Sequence, residues 1–321
     1  MNVKILEKIT EEFRSPILLA GWPGIGNVGV GAIDYLRRKL DALPFLELDL
    51  KEYFTAEAVM VEDGISKFPE MPSHVFYYIR EPELIIFESE AQIGGNVGVS
   101  LMNQILDLAT EWKVGQIYTA ASWTKAMSYR EPVQILGVAN RKSIRDSLIP
   151  LGIESLKQGV ISGLNGLLLG FAGLRDIEAA CLLATLPEYA MTMPNPKASR
   201  EIVRVFENLL QIQVDLAEID RAVEKMDETM ADIEEQIRAT FTNLKNEEGE
   251  EEGLEEVDDE KVPQYVMERI ERLFGEVKVE SSSQKAALLK RELDRWNLYS
   301  LYEDRFLDLF RKDQDSGTST G

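Results

Sequence analysis

The chain has 321 residues, 45% of them hydrophobic, and a formal net charge of -21 at pH 7. A chain of this length can bury a sizeable core and is longer than most single domains, so we expect one main domain and an extension. The strong negative charge argues against nucleic acid and anionic membranes as partners, because like charges repel.

Three features predict a cytoplasmic location. The single cysteine, Cys181, excludes an internal disulfide and fits a reducing compartment. The first residues include Lys4 and Glu7 and lack the apolar core of a secretory signal. The longest uncharged stretch, residues 158–174, contains five glycines and is shorter than a membrane span.

The first clear elements are a strand, a glycine-rich loop and a helix. An apolar run ends at Gly21, and an amphipathic pattern begins near residue 28. Gly24, Gly26 and Gly29 match the G-x-G-x-x-G pattern of dinucleotide-binding loops. In such loops glycines let the backbone come close to a ligand, and the first amides of the helix hold an anion.

Two interpretations of this loop stay open. Glu47 or Asp49 lies about 20 residues further on, where a ribose-binding acid is expected. The glycines are equally well explained by a tight turn and close helix packing without any ligand. Trp22 and Asn27 lie in the same loop, and the same two interpretations apply to them.

The same five residues occur a second time. Residues 95–99 repeat residues 26–30 as Gly-Asn-Val-Gly-Val, so Gly95, Asn96 and Gly98 match Gly26, Asn27 and Gly29. The second copy also follows an apolar run and opens a helical pattern. A dinucleotide fold needs one such loop, so the repeat favours a paired site or a symmetric structural device. In either case we expect the four glycines of the repeat to be needed for folding or assembly.

Strand and helix patterns alternate through the first part of the chain. Strands are predicted at 16–21, 44–49, 57–61, 74–79, 83–88, 115–120, 133–138, 159–162 and 179–185. Helices are predicted at 28–40, 97–112, 141–149 and 165–174. This order predicts an α/β fold with a mostly parallel sheet flanked by helices, and loops 21–29, 88–95 and 120–130 are expected at the carboxyl ends of its strands.

A third glycine-rich loop contains Gly163, Asn165 and Gly166, and an apolar strand follows that ends at Pro187. Together with the Gly21-Trp22 pair and the Gly26-Asn-Val-Gly motif, these residues resemble the proteasome assembly chaperone 2 family over residues 5–215. The resemblance implies a nucleoside-phosphorylase-like α/β fold without a demonstrated enzyme site or cofactor. It also implies homo-oligomers and, in archaeal and eukaryotic relatives, a role in proteasome assembly.

One departure from that family concerns docking. Members that bind proteasome rings commonly do so through a C-terminal tail of a hydrophobic residue, a tyrosine and any last residue. The sequence given ends Asp-Ser-Gly-Thr-Ser-Thr-Gly. If this protein docks on a proteasome, we expect another surface to make the contact.

Few side chains suggest catalysis. His74 is the only histidine and would have to serve any Ser-His-Asp arrangement, although a structural role is the commoner one. Glu88 and Glu90 follow an apolar strand and are the best acid-base candidates, with a solvated loop pair as the alternative. No histidine or cysteine has metal-ligand spacing.

Aromatic and asparagine residues near the loops have two interpretations each. Trp22, Trp123 and Tyr129 would form an aromatic wall beside a ligand, or each would serve only packing. Asn27, Asn96 and Asn165 neighbour glycines, and asparagine favours turns because its side chain bonds nearby backbone.

The C-terminal part is predicted to be helical. Apolar residues recur at three-four spacing from Ile202 to Ile237, which over about five heptads favours a coiled coil or an antiparallel helix pair. The alternative is a helix lying on its own domain. We therefore predict a core domain at 1–197, a long helix at 198–245, an acidic disordered linker at 246–262, a helical segment at 263–312 and a disordered tail at 313–321.

The last predicted helix, near residues 284–312, is too apolar to stand in water, and we expect it to return to the stripe on the long helix. For the whole chain, the sequence favours a non-catalytic oligomeric scaffold or assembly chaperone with protein partners, including proteasome subunits. The rival is an enzyme or sensor that binds a phosphate-bearing small molecule at the paired glycine loops. The residues assigned to these ligand or assembly loops are Trp22, Gly24, Gly26, Asn27, Gly29, Glu88, Gly95, Asn96, Gly98, Gly163, Asn165 and Gly166.

Overall fold

A computed structural model describes residues 2–10, 12–53, 59–68, 70–247, 264–279, 288–293, 298 and 302. The chain divides into two compact units, Met1–Thr229 and Met230–Gly321. The strands of the described residues are β1 (Asn2–Ile5), β2 (Ile17–Gly21), β3 (Leu43–Asp49), β4 (Met60–Glu62), β5 (Ile65–Lys67), β6 (His74–Ile79), β7 (Leu84–Ser89), β8 (Gln116–Lys125), β9 (Ile135–Ala139), β10 (Glu154–Ser155) and β11 (Glu178–Pro187). The α-helices are α1 (Val28–Lys39), α2 (Gly95–Glu111), α3 (Lys142–Leu148), α4 (Leu164–Leu174), α5 (Pro196–Leu210), α6 (Ala217–Glu247) and α7 (Gln264–Val279).

Nine of these strands form one mixed sheet in the order β1-β3-β6-β7-β2-β8-β11-β9-β10, and β4 and β5 form a separate hairpin. The four central strands β7, β2, β8 and β11 run parallel to one another. The prediction of a mostly parallel sheet is wrong towards the edges, where β1-β3, β3-β6, β6-β7 and β9-β11 are antiparallel pairs. The connection from β6 to β7 is only residues 80–83, and so short a turn permits antiparallel pairing alone.

Helices cover both faces of the sheet. One core cluster joins the sheet to α2 and α4 through residues such as Leu101, Ile105 and Leu168. The other joins it to α1, α3 and α5 through residues such as Ile33 and Phe206. Among the described residues, no helix is both long enough and apolar enough to cross a membrane.

Most strand predictions are confirmed in type, and the exceptions have local causes. Residues 159–162 are not a strand but a loop into α4, in which Gly159 lies against the Trp123 ring and Gly163 has a positive φ of 79°. The unpredicted strands β1, β5 and β10 are short and exposed, so they carry little of the apolar alternation that identifies a strand. The predicted strand at 57–61 is seen from Met60 onward, and residues 54–58 lie outside the described residues.

The predicted single helix at 198–245 is two helices. α5 ends at Leu210, Gln211 takes a left-handed φ of 54°, and α6 begins at Ala217. The apolar face of α5, including Ile202 and Phe206, is buried in the core of its own unit, and Ile219 at the start of α6 joins the same cluster. The first half of the heptad stripe therefore lies on the α/β core, because α1 and the sheet supply the apolar partner that the pattern requires.

The second compact unit has a small core of its own. Val266, Ile270 and Phe274 on α7 pack with Leu289 and Leu293. α6 continues to Glu247, and the rest of the predicted acidic linker lies outside the described residues, as does the tail at 313–321. Of the predicted final helix at 284–312, only residues 288–293, 298 and 302 are described, so its return to the apolar stripe stays a prediction.

Candidate functional site

The carboxyl ends of the parallel strands β7, β2, β8 and β11 share one edge of the sheet. Loops 22–27, 90–94 and 188–195 leave the sheet at this edge, and each leads into the next element of the chain. The loop at 156–163 reaches the same place and begins α4. In α/β sheets this edge is where ligands and functional contacts gather, so we name it the loop edge.

The first glycine loop turns through two residues in the left-handed region. Gly26 has φ 64° and Asn27 has φ 47°, conformations that suit glycine and asparagine. The Gly26 amide donates to the Met191 carbonyl at 3.1 Å, and its carbonyl accepts from the Asn195 amide at 2.8 Å. Asn195 also caps α5, because its Oδ1 accepts from the Ala198 amide at 2.9 Å. The turn is thus tied to the loop that follows β11.

Asn165 on α4 holds the residue at the start of this loop. Its Oδ1 accepts from the Trp22 amide at 3.1 Å, and its Nδ2 donates to the Trp22 carbonyl at 3.2 Å. The Asn165 carbonyl accepts a 2.7 Å bond from Thr119 Oγ1 on β8. Because Asn165 is only 3% exposed, these bonds are shielded from water and join α4, β8 and the first loop.

Gln92 and Ser122 complete the junction of loops. Gln92 Nε2 donates to the Pro23 carbonyl at 2.6 Å, and Gln92 Oε1 accepts from the Leu164 amide at 3.1 Å. Ser122 Oγ donates to the Ile25 carbonyl at 2.9 Å. Polar side chains of three other segments therefore bind the Trp22, Pro23 and Ile25 carbonyls of the first loop.

Two glycines of the repeat allow backbone to meet backbone. A Cβ on Gly29 would lie 1.8 Å from the Ala120 carbonyl oxygen, so α1 sits directly on β8. A Cβ on Gly98 would lie 2.3 Å from the Ile93 carbonyl oxygen in its own loop. Gly166 similarly faces Ile161, with 2.8 Å from a Cβ to the Ile161 carbonyl oxygen. Close packing accounts for all three glycines without a ligand.

The remaining glycines and asparagines of the predicted site lie nearby but differ in exposure. Gly24 and Asn27 are exposed, and a Cβ on Gly24 would be 3.8 Å from Asn165 Nδ2. Gly95 and Asn96 are also exposed at the start of α2. Gly163 lies beside the Gln92 side chain. The structure thus brings the three glycine loops to one edge and links them through protein groups.

The expected ribose-binding acids lie elsewhere. Glu47 and Asp49 are on β3, which is separated from β2 by β6 and β7. Adjacent strands are about 4.8 Å apart, which places β3 roughly 14 Å from β2 across the sheet. Glu47 pairs with Lys4 Nζ at 2.9 Å, and Asp49 Oδ1 accepts from the Lys51 amide at 3.0 Å. These contacts are local to the edge strands, so the dinucleotide arrangement is not present.

The three aromatic residues do not form a wall. Trp22 is fully buried, with its ring 5.2 Å from that of Phe87. Trp123 is partly exposed and covers Gly159. Tyr129 is partly exposed beyond β8, where its amide donates to Tyr189 Oη at 2.9 Å. Packing explains each position.

Glu88 points away from the glycine loops towards α1. Its Oε2 accepts a 2.7 Å bond from Arg37 Nε, and Asp34 binds the same guanidinium. Its Oε1 is buried without a hydrogen-bond partner in the described part of the chain. Burial raises the pKa of Glu88 to about 7, and the opposing effect of Arg37 is smaller. The neighbouring candidate, Glu90, accepts from the Ser73 amide at 2.7 Å and so joins the two ends of the β6-β7 hairpin.

His74 and Ser89 are paired but do not form a triad. His74 Nδ1 lies 2.8 Å from Ser89 Oγ, whose hydroxyl donates to the Ala91 carbonyl at 2.7 Å. The imidazole must therefore carry its proton on Nδ1, and the buried Nε2 contacts no acid among the described residues. Both side chains are buried, and burial lowers the pKa of His74.

Cysteine and metal chemistry find little support in the described residues. Cys181 is fully buried, and burial raises the pKa of its thiol to about 12, which keeps it protonated and unreactive. Within the described ranges, no group of three or more His, Cys, Asp or Glu side chains is placed to hold a metal ion.

The sequence did not single out several residues that hold the loop edge together. Gln92, Ser122 and Asn195 make side-chain bonds there, and Arg37 binds Glu88 on the side of β7 that faces α1. One usable signal was a polar side chain beside a glycine pair, as in Gln92-Ile-Gly-Gly. Glu88 lies 51 residues from Arg37 in the chain, and Ile25 lies 97 residues from Ser122. A local sequence pattern cannot reveal contacts between residues so far apart.

Sequence comparison places this chain beside known proteins. The model of the PAC2 family matches residues 18–234. The uncharacterised protein MJ1210 of Methanocaldococcus jannaschii is 27% identical over 248 residues, which are 75% of this chain and 93% of that protein. A second protein of that organism, MJ0106, is 22% identical over 239 residues, or 73% and 92% of the two chains.

Solved structures share the fold. PbaB of Pyrococcus furiosus, described as an archaeal proteasome activator, superposes with a TM-score of 0.61 at 21% identity, covering 73% of this chain and 98% of that one. PbaA of the same organism, described as an archaeal homolog of proteasome-assembly chaperone, gives 0.58 at 20% identity, covering 76% and 97%. A PAC2 family protein from Streptomyces avermitilis gives 0.58 at 20% identity, covering 68% and 95%.

Proposed function

The chain belongs to the PAC2 family, and from that membership we propose that it is a non-catalytic, oligomeric assembly factor whose partners are proteins. Relatives of the same fold are described as a proteasome activator and as a homolog of proteasome-assembly chaperone. We extend that description to this chain and propose proteasome subunits as its partners. A cytoplasmic location and the division into an α/β core with a helical extension are parts of the same proposal.

The observation that carries this proposal is the occupied polar backbone of the loop edge. The Trp22 amide and carbonyl form hydrogen bonds with the Asn165 side chain, and the Pro23 carbonyl accepts one from Gln92. The Gly26 amide donates to the Met191 carbonyl in the 188–195 loop. In a phosphate-binding loop such amides point at the ligand. Here they fasten loops to each other, which supports a rigid surface for a partner rather than a cradle for a small molecule.

The same edge presents apolar residues to solvent. Ile25 is 42% exposed at the tip of the first loop, and Met191 is 40% exposed in the loop that bonds Gly26. Apolar side chains held on a rigid backbone suit a protein contact, because little conformational entropy is lost on binding. We assign Ile25 and Met191 to the partner-binding surface.

The deciding experiment mixes the purified full chain with purified proteasome α and β subunits of the same organism and follows complexes by native mass spectrometry. We expect a complex with one type of subunit and faster ring assembly in its presence. Ile25→Glu should weaken this complex at least 10-fold. Ile149→Glu is the matched control, since Ile149 is 61% exposed in the short helix after α3 and belongs to neither loop 22–27 nor loop 188–195.

A thermal-shift screen with nucleotides and sugar phosphates tests the rival function. A ligand at 100 times its dissociation constant stabilises a protein by about 2.7 kcal/mol. Stabilisation of that size, lost in Asn27→Gly and accompanied by no subunit complex, would replace the assembly role with ligand binding. Asn27→Gly is suitable because glycine keeps the left-handed backbone of Asn27 while removing its side chain.

A further inference from the structure

The outward side of α4 is apolar where a surface helix is normally polar. Leu167 is 50% exposed and Leu174 is 84% exposed, and Gly170 between them is also exposed. These residues are spaced three and four apart and lie on one side of the helix. The opposite side, with Leu164 and Leu168, is buried in the core. We call Leu167, Gly170, Phe171 and Leu174 the α4 face.

The α4 face lies in an unusual part of the chain. Residues 158–174 contain no charged side chain, although the protein has a net charge of -21. Two copies of so acidic a protein repel each other over most of their surface. The charge repulsion between two copies is therefore expected to be weakest where their longest uncharged stretches approach each other.

Neighbouring residues extend this surface and bound it. Val160, in the loop that leads into α4, is 87% exposed. Val99 is 46% exposed and lies on α2, the helix that packs beside α4. Arg175 marks the polar limit after the helix, where it bonds Asn103 at 3.0 Å and pairs with Asp107. An apolar centre with a polar rim is the usual organisation of a protein interface.

The spacing within the α4 face is self-complementary. A two-fold axis near Gly170 would relate two antiparallel α4 helices that pack on each other, with Leu167 of one copy against Leu174 of the other. At Gly170 itself a Cβ would meet no atom within 4 Å, so the space above the helix is open to an approaching neighbour. The same patch then serves both copies, as a two-fold interface requires.

We propose that two copies of this chain associate through their α4 faces, with Gly170 near the two-fold axis. The inference rests on the oligomeric scaffold proposed above and names its contact surface. A stable interface buries about 800 Å² per partner. The α4 face alone is small for that area, so the contact includes Val99 and Val160 on either side.

The first test measures the molar mass of the full chain by light scattering over a range of concentrations, at about 0.15 M salt, where charges are screened beyond roughly 8 Å. We expect dimers or multiples of dimers. Leu174→Glu and Leu167→Glu should each weaken association at least 100-fold, because each places two carboxylates in the contact. Ile149→Glu introduces the same charge in the short helix after α3, whose residues Leu148 and Leu151 pack on the other side of the sheet from α4, and should leave the mass unchanged. Circular dichroism and unfolding midpoints check that each variant is folded.

The second test is a cross-link. Cys181 is the only cysteine and is fully buried, so a new surface thiol is the only one that reacts. Under mild oxidation, Gly170→Cys should give a disulfide-linked dimer in most of the protein, whereas Ile149→Cys should stay monomeric on a denaturing gel. Disulfides need Cβ atoms about 3.5–4.5 Å apart, so efficient cross-linking reports the close approach at the axis.

Several results would overturn the inference. A monomeric chain whose Gly170→Cys thiol is labelled quickly would show a bare face, and slow labelling of a monomer would show that the chain's own residues cover it. An oligomer that resists Leu174→Glu but is broken by Val61→Glu would move the contact to the β4-β5 hairpin, where Val61 is 68% exposed. A monomer that still binds proteasome subunits would contradict this interface but support the assembly function. A dimer that binds no subunit would support this interface but contradict the assembly function.

Discussion

Residues 26–30 and residues 95–99 have the same sequence and follow the neighbouring strands β2 and β7, but their turns are only partly the same. The first glycine of each copy is left-handed, with φ 64° at Gly26 and 59° at Gly95. The second glycine of each, Gly29 or Gly98, lies against a backbone carbonyl. The asparagines differ, because Asn27 has a left-handed φ of 47° before α1, whereas Asn96 already lies in the first turn of α2. The residues themselves therefore explain the glycine conformations but not the whole turn.

The surroundings of the two copies differ. Val28 in the first copy is fully buried, and its carbonyl accepts a 3.0 Å bond from Ser199 Oγ on α5, which covers α1. Val99 at the end of the second copy is 46% exposed. Val97, which matches Val28, is only partly buried although α2 packs beside α4, so we expect the identical sequences to contribute unequally to stability. Substitutions made at matched positions measure that inequality.

The largest effect is expected from the glycines that touch backbone. Gly29→Ala should cost about 3 kcal/mol or more in the free energy of unfolding, because its Cβ would lie 1.8 Å from a carbonyl on central strand β8. Gly98→Ala should cost about 1–2 kcal/mol, since its contact is with its own partly exposed loop, which can shift. Urea unfolding of both variants measures the difference, and equal losses would contradict the proposed asymmetry.

The side chains that tie the two loops should also differ. Asn165→Ala leaves the Trp22 amide and carbonyl buried without partners, which we expect to cost about 2–3 kcal/mol. Gln92→Ala removes two bonds at an exposed position where water can replace them, so its cost should be below about 1 kcal/mol. Hydrogen exchange at the Trp22 amide provides a second measurement, with faster exchange expected in Asn165→Ala alone.

A pH dependence is expected on β7, the strand that leads into the second loop. The pKa of Glu88 is about 7 when folded and 4.5 in its ordinary state, so the folded protein binds more protons between these values. Stability from this group is therefore complete below about pH 4.5 and is lost as the pH rises through 7. The loss should be on the order of 2 kcal/mol, after discounting for the hydration that remains at the site.

Glu88→Gln isolates this contribution, because glutamine keeps the shape of the protonated acid. Unfolding free energies of wild type and variant, measured at pH 5 and pH 8, should show the variant gaining relative to wild type at the higher pH. An unchanged difference between the two pH values would mean that Arg37 holds the Glu88 carboxylate ionised throughout.

The smallest effect is expected at the asparagines. Asn27→Ala should cost about 1 kcal/mol, since alanine tolerates the left-handed φ of 47° poorly. Asn96→Ala should be neutral or slightly stabilising, because Asn96 lies in the first turn of α2, where alanine is favoured. Thermal midpoints of the two variants decide this, and a larger loss at Asn96 would mean that its exposed side chain has a partner.

The sequence by itself determined the elements of the α/β core and the family. Apolar runs identified β2, β6 and β7 within a residue or so of their observed ends, because central strands are buried on both faces and read as continuous apolar segments. The glycine motifs carried the family resemblance because left-handed backbone positions favour glycine or asparagine, so these residue types recur in the sequence at such turns. The loop edge was expected for the same reason, since parallel strands bring their carboxyl ends together.

Only the tertiary structure decided which of these local features share surroundings. Sequence could not show that β6 and β7 lie between β3 and β2, which separates Glu47 from the first loop, or that Glu88 faces Arg37 rather than the glycines. The heptad stripe favoured a coiled coil or an antiparallel helix pair, but α5 lies on the sheet and on α1 of its own unit, which was the alternative. Periodicity fixes which side of a helix is apolar, but the surface that covers it depends on residues far away in the chain, and only packing brings those residues together.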